Sequence, residues 1–473
     1  MSQTITIDPV TRLEGHGKIT IQLNAQGEVE DAHFHVTQVR GFEKFSEGRP
    51  FYEMPALTAR ICGICPVSHL LASAKACEAI MSVRIPHTAA QLRRILNLAQ
   101  MVQSHALSFF HLSSPDLLLG MESDPAQRHI FGVAAARPEL GRAGIALRRF
   151  GQHIIELLGT KRIHTGWVIP GGVAEALSSA KRDEILAMLP EAYANIGLAL
   201  AAYKQIADKF QPEISVFANF PSNYLGLINE DESIEFTDGA LRLIGPKGDI
   251  IDDGITAQRF TEVIGEAVEP YSYTKFVYYK PLGYPEGSYR VGPLARLNIV
   301  KKMGTPKADQ ELAEFKQIAA GPLESSFFYH HARLVEVMHG IEKIEEILAD
   351  PLILDKHVRA TAGVNRLDGA GQIEAPRGTL SHHYKVDDDG KITWANLVVA
   401  TGHNNKAMNR GVLQSARAYV KDGKFTEGAL NRVEAVIRCF DPCLSCSTHA
   451  FGQMPLQMTL LSADGDVVDK VVR

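Results

Sequence analysis

Two cysteine pairs with the same internal spacing lie near opposite ends of this chain. Cys62 and Cys65 form one C-x-x-C pair and Cys443 and Cys446 form the other, out of six cysteines in 473 residues. One such pair alone is a redox dithiol, half of a metal site or a coincidence. A zinc ribbon separates its pairs by about 15–20 residues, whereas residues 66–442 lie between these two. A small local zinc knuckle is therefore excluded, and if the four thiols meet, the chain ends meet.

The residues after the first pair predict a helix that begins beside the thiols. Pro66 follows Cys65 directly, and proline is favoured in the first turn of a helix. Apolar residues then recur at helical spacing, at Val67, Leu70, Leu71, Ala74 and Cys77. A helix N-terminus carries partial positive charge, which favours thiolates and metal binding. Cys77 is expected to be a core residue, and Cys439, within "AVIRCF", a buried strand residue.

Composition excludes several classes of partner. The chain is 45% hydrophobic, and its 49 basic and 54 acidic residues give a net charge of −5 without charged blocks. This balance argues against nucleic acid or an anionic membrane as the main partner. No stretch approaches the roughly 18–20 uninterrupted apolar residues of a membrane span, and the first residues lack an export signal. We therefore expect a cytoplasmic protein without a membrane span, although a partner could carry such a protein across a membrane.

Five motifs together resemble a known family. They are "DPVTRLEGHGKI", "RGFEKFSEGRP", "RICGICPVSH", "EAPRGTLSHHY" and "DPCLSCSTH", and they run along the whole chain. The sequence is similar to the large, catalytic subunit of [NiFe]-hydrogenases, most of all to the soluble, NAD-reducing bidirectional type. The resemblance implies an α+β fold, mainly α, with a central bundle of long helices and small antiparallel sheets.

The resemblance also implies a metal centre. Cys62 and Cys443 would be terminal thiolates on nickel, while Cys65 and Cys446 would bridge nickel and iron. Iron would carry carbon monoxide and cyanide, so the four cysteines would be the protein's whole covalent share. H2 would be cleaved heterolytically, with the Cys443 thiolate as the first base and Glu14 of "TRLEGH" as the start of the proton exit. Without the family, Glu14 would be interpreted as a surface charge.

Further roles follow by the same resemblance. Arg377 would direct its donors at a cyanide and at the open face of nickel. A structural Mg2+ would be held by Glu43, a carbonyl near Leu397 and the ring of His449, because Mg2+ prefers oxygen ligands. Four further residues would support the centre. His69 could donate to a bridging sulfur but could equally be a core histidine. The others are Pro376, Thr401 and Asp441, and Asp441 would pair with an arginine.

One segment departs from the family pattern. Many membrane-linked members carry an acidic residue near "QSHALSFFHL", residues 103–112, and this chain has none there. We therefore assign no residue of this segment to the role that the acidic residue has in those members. His105 and His111 of this segment are interpreted as packing or hydrogen-bonding residues.

The C-terminal residues and the remaining cysteines bear on partners. In the family, an extension such as residues 450–473 is removed by a maturation endopeptidase after nickel insertion; "LLSADGDVV" could instead form an ordinary terminal hairpin.

Cys77 and Cys439 are too few to ligate an iron–sulfur cluster, and no G-x-G-x-x-G follows a strand. The chain thus lacks a cluster and an NAD site, and the resemblance implies two kinds of partner: an iron–sulfur small subunit, and a flavin and iron–sulfur diaphorase that reduces NAD.

Periodicity along the chain predicts one interlocked unit. Its parts are an N-terminal β region (1–40), a helical region (52–210), a β meander (233–252), a helical and metal-binding region (323–449) and the extension (450–473). Helical patterns cover 52–82, 88–113, 138–158, 179–209, 323–349 and 403–420, with Pro190 expected to bend one helix.

Three functions compete at this point. The first is the hydrogenase catalytic subunit, supported by all five motifs. The second is the related quinone-site subunit of respiratory complex I, which lacks the nickel cysteines. The third is a structural or interaction subunit that binds zinc through the four thiols. Among hydrogenases, a regulatory hydrogen sensor or a deazaflavin-reducing enzyme is a further alternative, and metal analysis would separate the first function from the third.

Overall fold

The computed structural model describes residues 3–421, 423–448, 457–462 and 466–472. The α-helices of these residues are α1 (Phe42–Ser46), α2 (Met54–Thr58), α3 (Pro66–Met81), α4 (His87–Ala106), α5 (Ile130–Ala136), α6 (Pro138–Gly159), α7 (Ser179–Ala207), α8 (Gln211–Val216), α9 (Ala257–Val263), α10 (Pro293–Ile299), α11 (Pro306–Gln317), α12 (Tyr329–Ala349), α13 (Ala400–Tyr419), α14 (Glu427–Phe440) and α15 (Leu444–Ser447).

The strands are short and form small sheets. They are β1 (Gln3–Ile7), β2 (Gly17–Leu23), β3 (Val29–Val36), β4 (Val168–Ile169), β5 (Gly172–Val173), β6 (Asn223–Ile228), β7 (Ala240–Ile244), β8 (Ile250–Ile255), β9 (Ile264–Ala267), β10 (Phe276–Tyr279), β11 (Tyr289–Arg290), β12 (Asp368–Ala375), β13 (Gly378–Val386), β14 (Ile392–Val398), β15 (Gln457–Leu461) and β16 (Val467–Val472).

Four long helices form the centre of the molecule. α4 packs against α6 and α12, and α7 packs against the same two helices, so the four close a ring. The reason is visible in α7, whose buried residues recur every three or four positions at Ile185, Leu189, Ala192, Ile196, Ala199, Leu200 and Tyr203. The predicted fold class, mainly helical with a central bundle, is confirmed.

Three of the sheets formed by the described residues have three or more strands. β1, β2 and β3 form the predicted antiparallel N-terminal sheet. β7 and β8 of the predicted meander belong to a sheet of order β11-β6-β7-β8, in which β11 and β6 are parallel. β12, β13 and β14 form an antiparallel sheet on which α3 packs. This last sheet was missed, because most of its residues are buried and show no polar alternation.

Two predicted helical stretches are interrupted. Within 52–82, short turns and α2 precede an irregular segment that carries Cys62 and Cys65, and only α3 is a long helix. Within 88–113, α4 ends at Ala106 and continues as a wider π-helical turn, Leu107–Ser113. The other four patterns correspond to α6, α7, α12 and α13 within a few residues. Pro190 lies inside α7, and its bend stays a prediction.

The strand predicted around Cys439 was wrong. Cys439 lies in α14, which Thr426 begins by accepting a hydrogen bond from Ala429 N–H at 3.1 Å. Buried Val433, Val436 and Phe440 recur along it every three or four residues. Helical periodicity therefore outweighed the strand propensity of the local sequence. Cys439 and Cys77 are both buried, as predicted.

The helical run Ser179–Val216 is, by length and composition alone, long and apolar enough to cross a membrane. Its buried side chains belong to the bundle described above, and core helices of globular proteins pass the same test. Near the C-terminus β15 and β16 pair as antiparallel strands, as expected for a terminal hairpin. Residues 463–465, which would make its turn, lie outside the described residues, and removal of the extension stays a prediction.

Candidate metal centre

The four paired cysteines meet in the interior of the molecule. Cys62 Sγ lies 3.4 Å from Cys443 Sγ, and Cys65 Sγ lies 3.5 Å from Cys446 Sγ. Within the second pair, Cys443 Sγ lies 2.8 Å from Cys446 Sγ. All four sulfurs lie within 4.8 Å of one another and all four residues are buried. In the described residues this is the one group of three or more cysteine, histidine or carboxylate side chains with such spacing.

The first cysteine pair is held by backbone contacts on both sides. Arg40 donates to the Ile61 carbonyl, and Gln103 Nε2 donates to the Ile64 carbonyl at 2.9 Å. The amide groups of Ile64 and Cys65 point at Cys62 Sγ, at 3.2 and 3.3 Å. Side chains from elsewhere in the chain therefore hold this segment, and two N–H groups point at one sulfur.

The second cysteine pair is tied to the N-terminal region. The Leu444 amide donates to the Glu14 carbonyl at 3.2 Å, and the Ser445 amide donates to Glu14 Oε2 at 3.0 Å. Gly15 has φ +89°, and a Cβ at this position would lie 2.7 Å from Leu444 Cβ. Only glycine allows so close an approach in this conformation. The glycine of "LEGH" thus brings Glu14 against Cys443.

The four thiols cannot all be deprotonated without a compensating cation. Hydrogen bonds from the other three cysteines, led by Cys443, lower the pKa of Cys62 well below its ordinary value. Burial raises the pKa of Cys443 and of Cys446 well above it. A thiolate at one of these sulfurs raises the cost of a second thiolate beside it in a dry site. The donor set is soft, buried and short of positive charge, which suits a thiolate-bound transition metal.

Arg377 supplies the nearest positive charge. It is buried between α4 and the second cysteine segment, with Nη1 3.3 Å from Ser104 Oγ and Nη2 3.1 Å from Asp441 Oδ1. Burial lowers the pKa of Arg377, but Asp441 and the cysteine sulfurs outweigh it and raise the pKa well above its ordinary value. Arg377 Nε and Asp441 Oδ2 are buried without a partner among the described residues. These orphaned atoms leave room for a polar group beside the sulfurs.

A cavity opens between the sulfurs and Arg377. Its walls include residues from α3, from the turn between β12 and β13, and from the start of α13; they are Cys65, Ser68, His69, Ala375, Arg377, Leu380, Val399, Ala400, Thr401, Cys443 and Cys446. Thr401 Oγ1 accepts from the Cys443 amide at 3.0 Å. The lining is mostly apolar, with the polar groups gathered on one side.

Comparison with known proteins identifies the family. A model described as nickel-dependent hydrogenase matches residues 40–127 and 246–449, and one described as HoxL-like matches residues 4–39. The chain is 40% identical over its whole length to the whole of the NAD-reducing hydrogenase HoxS subunit beta of Cupriavidus necator. It is 42% identical over 88% of its length to 99% of a chain of the F420-non-reducing hydrogenase vhu of Methanocaldococcus jannaschii.

The chain belongs to the nickel-dependent hydrogenase family. It is a large [NiFe]-hydrogenase subunit, and the fold agrees: a crystal structure of an NAD+-reducing [NiFe]-hydrogenase in the H2-reduced state matches with a TM-score of 0.92, 43% identity and coverage of 94% of this chain and 99% of that one. The Ni-Fe-Se hydrogenase of D. vulgaris Hildenborough matches with a TM-score of 0.74 and 25% identity over 95% of this chain and 100% of that one.

Two of the three residues expected at the Mg2+ site of this hydrogenase subunit, Glu43 and Leu397, are among the described residues. Glu43 Oε1 accepts from the Leu397 amide at 2.7 Å and lies 3.3 Å from Asn396 Nδ2. The same Asn396 nitrogen lies 3.0 Å from Glu266 Oε2. A second carboxylate, which sequence reasoning missed, therefore lies near Glu43. The third expected ligand, His449, lies outside the described residues.

The hydrogenase site contains other side chains that the sequence did not reveal. Ser104 contacts Arg377, and Arg296 Nη2 donates to the Pro376 carbonyl at 3.3 Å. His69 lines the cavity as expected of a residue one turn after Cys65, and its Nδ1 lies 3.1 Å from His382 Nε2. The signal for His382 was present in "SHHY", but a core histidine looks the same in sequence. His105, interpreted as a hydrogen-bonding residue, lies 2.8 Å from Glu336 Oε2 through its Nε2.

Proposed function

We propose that this chain catalyses reversible heterolytic cleavage of H2 at a nickel and iron centre, and that its electrons pass through an iron–sulfur small subunit to a diaphorase that reduces NAD+. The observation that carries the proposal is the convergence of four buried thiols from both chain ends within 4.8 Å. When bound, the metal pair supplies an open coordination position and accepts the electron pair of H2. Cys62, Cys65, Cys443 and Cys446 would hold it, the second and fourth as bridges.

The chain itself supplies the first steps of proton transfer. Cys443 Sγ lies 3.1 Å from Glu14 Oε2, within hydrogen-bond reach. The Ser445 amide fixes that same carboxylate oxygen at 3.0 Å. A proton released on the Cys443 sulfur therefore has an oriented acceptor in Glu14, and no movement of the backbone is needed to reach it.

The remaining residues would shape the site around the diatomic ligands of iron. Arg377 presents an orphaned Nε beside the cavity and is suited to face one cyanide. Thr401 would donate to the other cyanide, and Pro376 would pack against the diatomic ligands. Asp441 would hold Arg377 in position through their 3.1 Å contact. His69 would donate to a bridging sulfur, and Mg2+ would bind Glu43, a carbonyl near Leu397 and His449.

The identity of the electron acceptor rests on the relatives. Coverage does not separate the relatives, since F420-non-reducing hydrogenase subunits also match over 99% of both chains. The likeness to the crystal structure of an NAD+-reducing [NiFe]-hydrogenase, with a TM-score of 0.92 and 43% identity, favours NAD+ as the acceptor and a soluble, cytoplasmic complex with small and diaphorase subunits. Reduction of NAD+ by H2 in the purified complex is the expected result; reduction of another acceptor alone would contradict this assignment.

Two experiments test the catalytic proposal. Infrared spectra of the complex should show metal-bound carbon monoxide and cyanide bands, and metal analysis of the same sample should find nickel together with iron. Zinc without nickel and iron would refute the proposal. Glu14→Gln should keep the metals, since the amide oxygen still accepts from Ser445, but should abolish H2 oxidation because it cannot carry the proton.

The C-terminal extension has its own test. We propose that an endopeptidase removes residues 450–473 after nickel insertion, so the mass of the active protein should be short of the full chain. An active protein that ends at residue 473 would contradict processing.

A further inference from the structure

Another cavity lies apart from the metal centre, between the β11 edge of the four-stranded sheet and α13. Its volume is about 430 Å3, a size typical of small-molecule sites. None of the residues that line it also lines the metal cavity. The hydrogenase mechanism proposed above therefore gives this second cavity no role.

Three cationic side chains line this cavity. Lys406 and Arg410 are one turn apart on α13 and share a face of that helix, and Arg290 belongs to β11. Arg410 Cζ lies 3.8 Å from the ring centroid of Phe220, and Arg290 Cζ lies 4.4 Å from the same centroid. The two guanidinium groups are therefore close neighbours although they carry the same charge.

The described residues do not match these charges with carboxylates. Arg290 is 0% exposed, and its guanidinium donates to three backbone carbonyls. Arg410 lies over the Phe220 ring, and Lys406 Nζ lies 5.5 Å from the ring centroid of Tyr284. In the described part of the chain none of the three cations forms an ion pair. Because a buried charge without a counterion is costly, the cavity is short of negative charge.

The cations also disfavour one another. Burial lowers the pKa of Arg410, and the charge of Arg290 lowers it further. Glu286 is the one acidic residue among those that line the cavity. Three cations and one carboxylate leave an excess of two positive charges, which a bound dianion would compensate.

Two polar atoms of the lining residues lack a partner as well. Ser288 Oγ and Arg290 Nε are buried and have no hydrogen-bond partner among the described residues. Buried polar atoms are rarely left unpaired in native proteins. Both atoms are donors, so a group rich in acceptor oxygens is the kind of ligand that these walls favour.

We propose that this cavity binds a phosphate monoester of a small organic molecule. Such a group carries about −1.5 to −2 charges near pH 7, which matches the excess positive charge, whereas a carboxylate carries only one. Its oxygens accept hydrogen bonds from guanidinium and ammonium groups. The cavity is larger than a phosphate group alone, and an apolar wall of Phe220, Pro221, Pro246 and Pro285 would contact the organic part.

The experiment is isothermal titration calorimetry of the purified complex with phenyl phosphate at pH 7.5. Other subunits can bind phosphates too, so the decisive quantity is the part of the binding that depends on Arg410. Arg410→Met should weaken that binding by at least about tenfold, because charge-assisted hydrogen bonds are lost. Arg410→Lys keeps the charge and should restore part of the affinity. Unchanged affinity in Arg410→Met would overturn the inference.

A matched control removes an arginine from another part of the surface. Arg142 on α6 is exposed, as Arg410 is, but does not line the cavity. Arg142→Met should leave phenyl phosphate binding unchanged, and equal weakening in both variants would overturn the inference. If Arg410→Met does not assemble, Lys406→Met decides the question, since unchanged affinity in that variant would equally overturn it.

Two further ligands test the chemical class. Benzoate has the same ring with a single charge and should bind at least about tenfold more weakly at the site that depends on Arg410. Equal binding of benzoate would overturn the assignment to phosphate. Inorganic phosphate should also bind more weakly than phenyl phosphate, because it makes no contact with the apolar wall. Equal binding of inorganic phosphate would overturn the organic part of the assignment.

Discussion

Two buried polar clusters in the described part of the chain differ in how their charges are compensated. One is the set of four cysteine sulfurs. The other is an ion network in which Arg296 contacts Glu336 through Nη2 at 2.7 Å and Glu374 through Nη1 at 2.6 Å, with His105 at 2.8 Å from Glu336. Arg296, Glu336 and Glu374 are 0% exposed.

The ion network is balanced by the protein itself. Burial raises the pKa of Glu336, but Arg296 outweighs it and lowers the pKa to about 2. Burial raises the pKa of Glu374, the second partner of the same arginine. The cysteine cluster has four acidic groups, and Arg377 is the positive charge that acts on Cys62. The ion network therefore has its cation within the chain, whereas the cysteine cluster requires a cation from outside.

The largest expected effect comes from removing one sulfur. Cys446→Ser should abolish nickel binding and H2 oxidation, because the cluster loses one of its four soft ligands. Metal content and activity of the purified complex are the measurements.

The control is Cys77→Ser, since Cys77 is equally buried, and its Sγ donates to the Phe51 carbonyl at 3.1 Å, a bond that a serine hydroxyl can keep. Equal metal loss in both variants would show that any buried thiol matters and would break the comparison.

A substitution in the ion network should lower the stability of the fold and leave metal binding unchanged. Arg296→Met leaves two buried carboxylates without their cation and should cost about 3–5 kcal/mol of unfolding free energy. Denaturant unfolding of the protein measures this.

A surface pair provides the contrast. Arg149 and Glu191 are 3.5 Å apart with side chains 70% and 63% exposed, and Arg149→Ala should cost at most about 1 kcal/mol. A cost for Arg296→Met no greater than this would mean that the network is not the balanced structural unit described here.

The network also predicts a pH dependence of stability. Because the pKa of Glu336 is about 2 in the folded chain and about 4.3 in an unfolded one, its ionised form stabilises the fold above that unfolded value. The contribution, on the order of 3 kcal/mol, should be lost as pH falls from about 4.3 toward 2. The unfolding free-energy difference between the unaltered chain and Glu336→Gln should therefore shrink below about pH 4.3. A difference that stays constant on acidification would contradict the assigned charge.

The smallest expected effect concerns the junction of the two chain ends. Gly15→Ala introduces a side chain at φ +89° and places its Cβ 2.7 Å from Leu444 Cβ. It should cost about 1–3 kcal/mol and weaken nickel retention, because the second cysteine pair is displaced from Glu14.

Gly48→Ala is the matched control, since Gly48 has φ +78° but open space around its Cβ position. This variant should lose stability through backbone strain but should retain nickel. Similar nickel loss in both would mean that strain, not the approach to Leu444, is responsible.

Local signals in the sequence predicted the helix that follows the first cysteine pair. Pro66 and the apolar spacing after it predicted α3, which begins directly after Cys65 as expected. The long helices were predictable because their apolar faces repeat at helical spacing. The irregular segment before α3 was not, because its shape depends on Arg40 and Gln103 from elsewhere in the chain.

Long-range contacts explain what the sequence did not reveal. The approach of Glu14 to Cys443 depends on Gly15, and a single glycine in sequence indicates only a turn. Arg296 and Glu336 look like surface charges on helices until the fold buries them together. β12, β13 and β14 lack alternation because most of their residues are buried, so a strand signal was absent.

The central claim is that sulfurs from both ends of the chain bind one nickel and iron pair. X-ray absorption at the nickel edge of the purified complex tests it directly by counting the sulfur neighbours of nickel, the metal that the iron–sulfur subunits do not contribute. The account predicts four sulfurs on nickel, with one sulfur fewer in any Cys62→Ser protein that retains nickel. Nickel bound by nitrogen and oxygen without these sulfurs, or zinc in place of both metals, would contradict it.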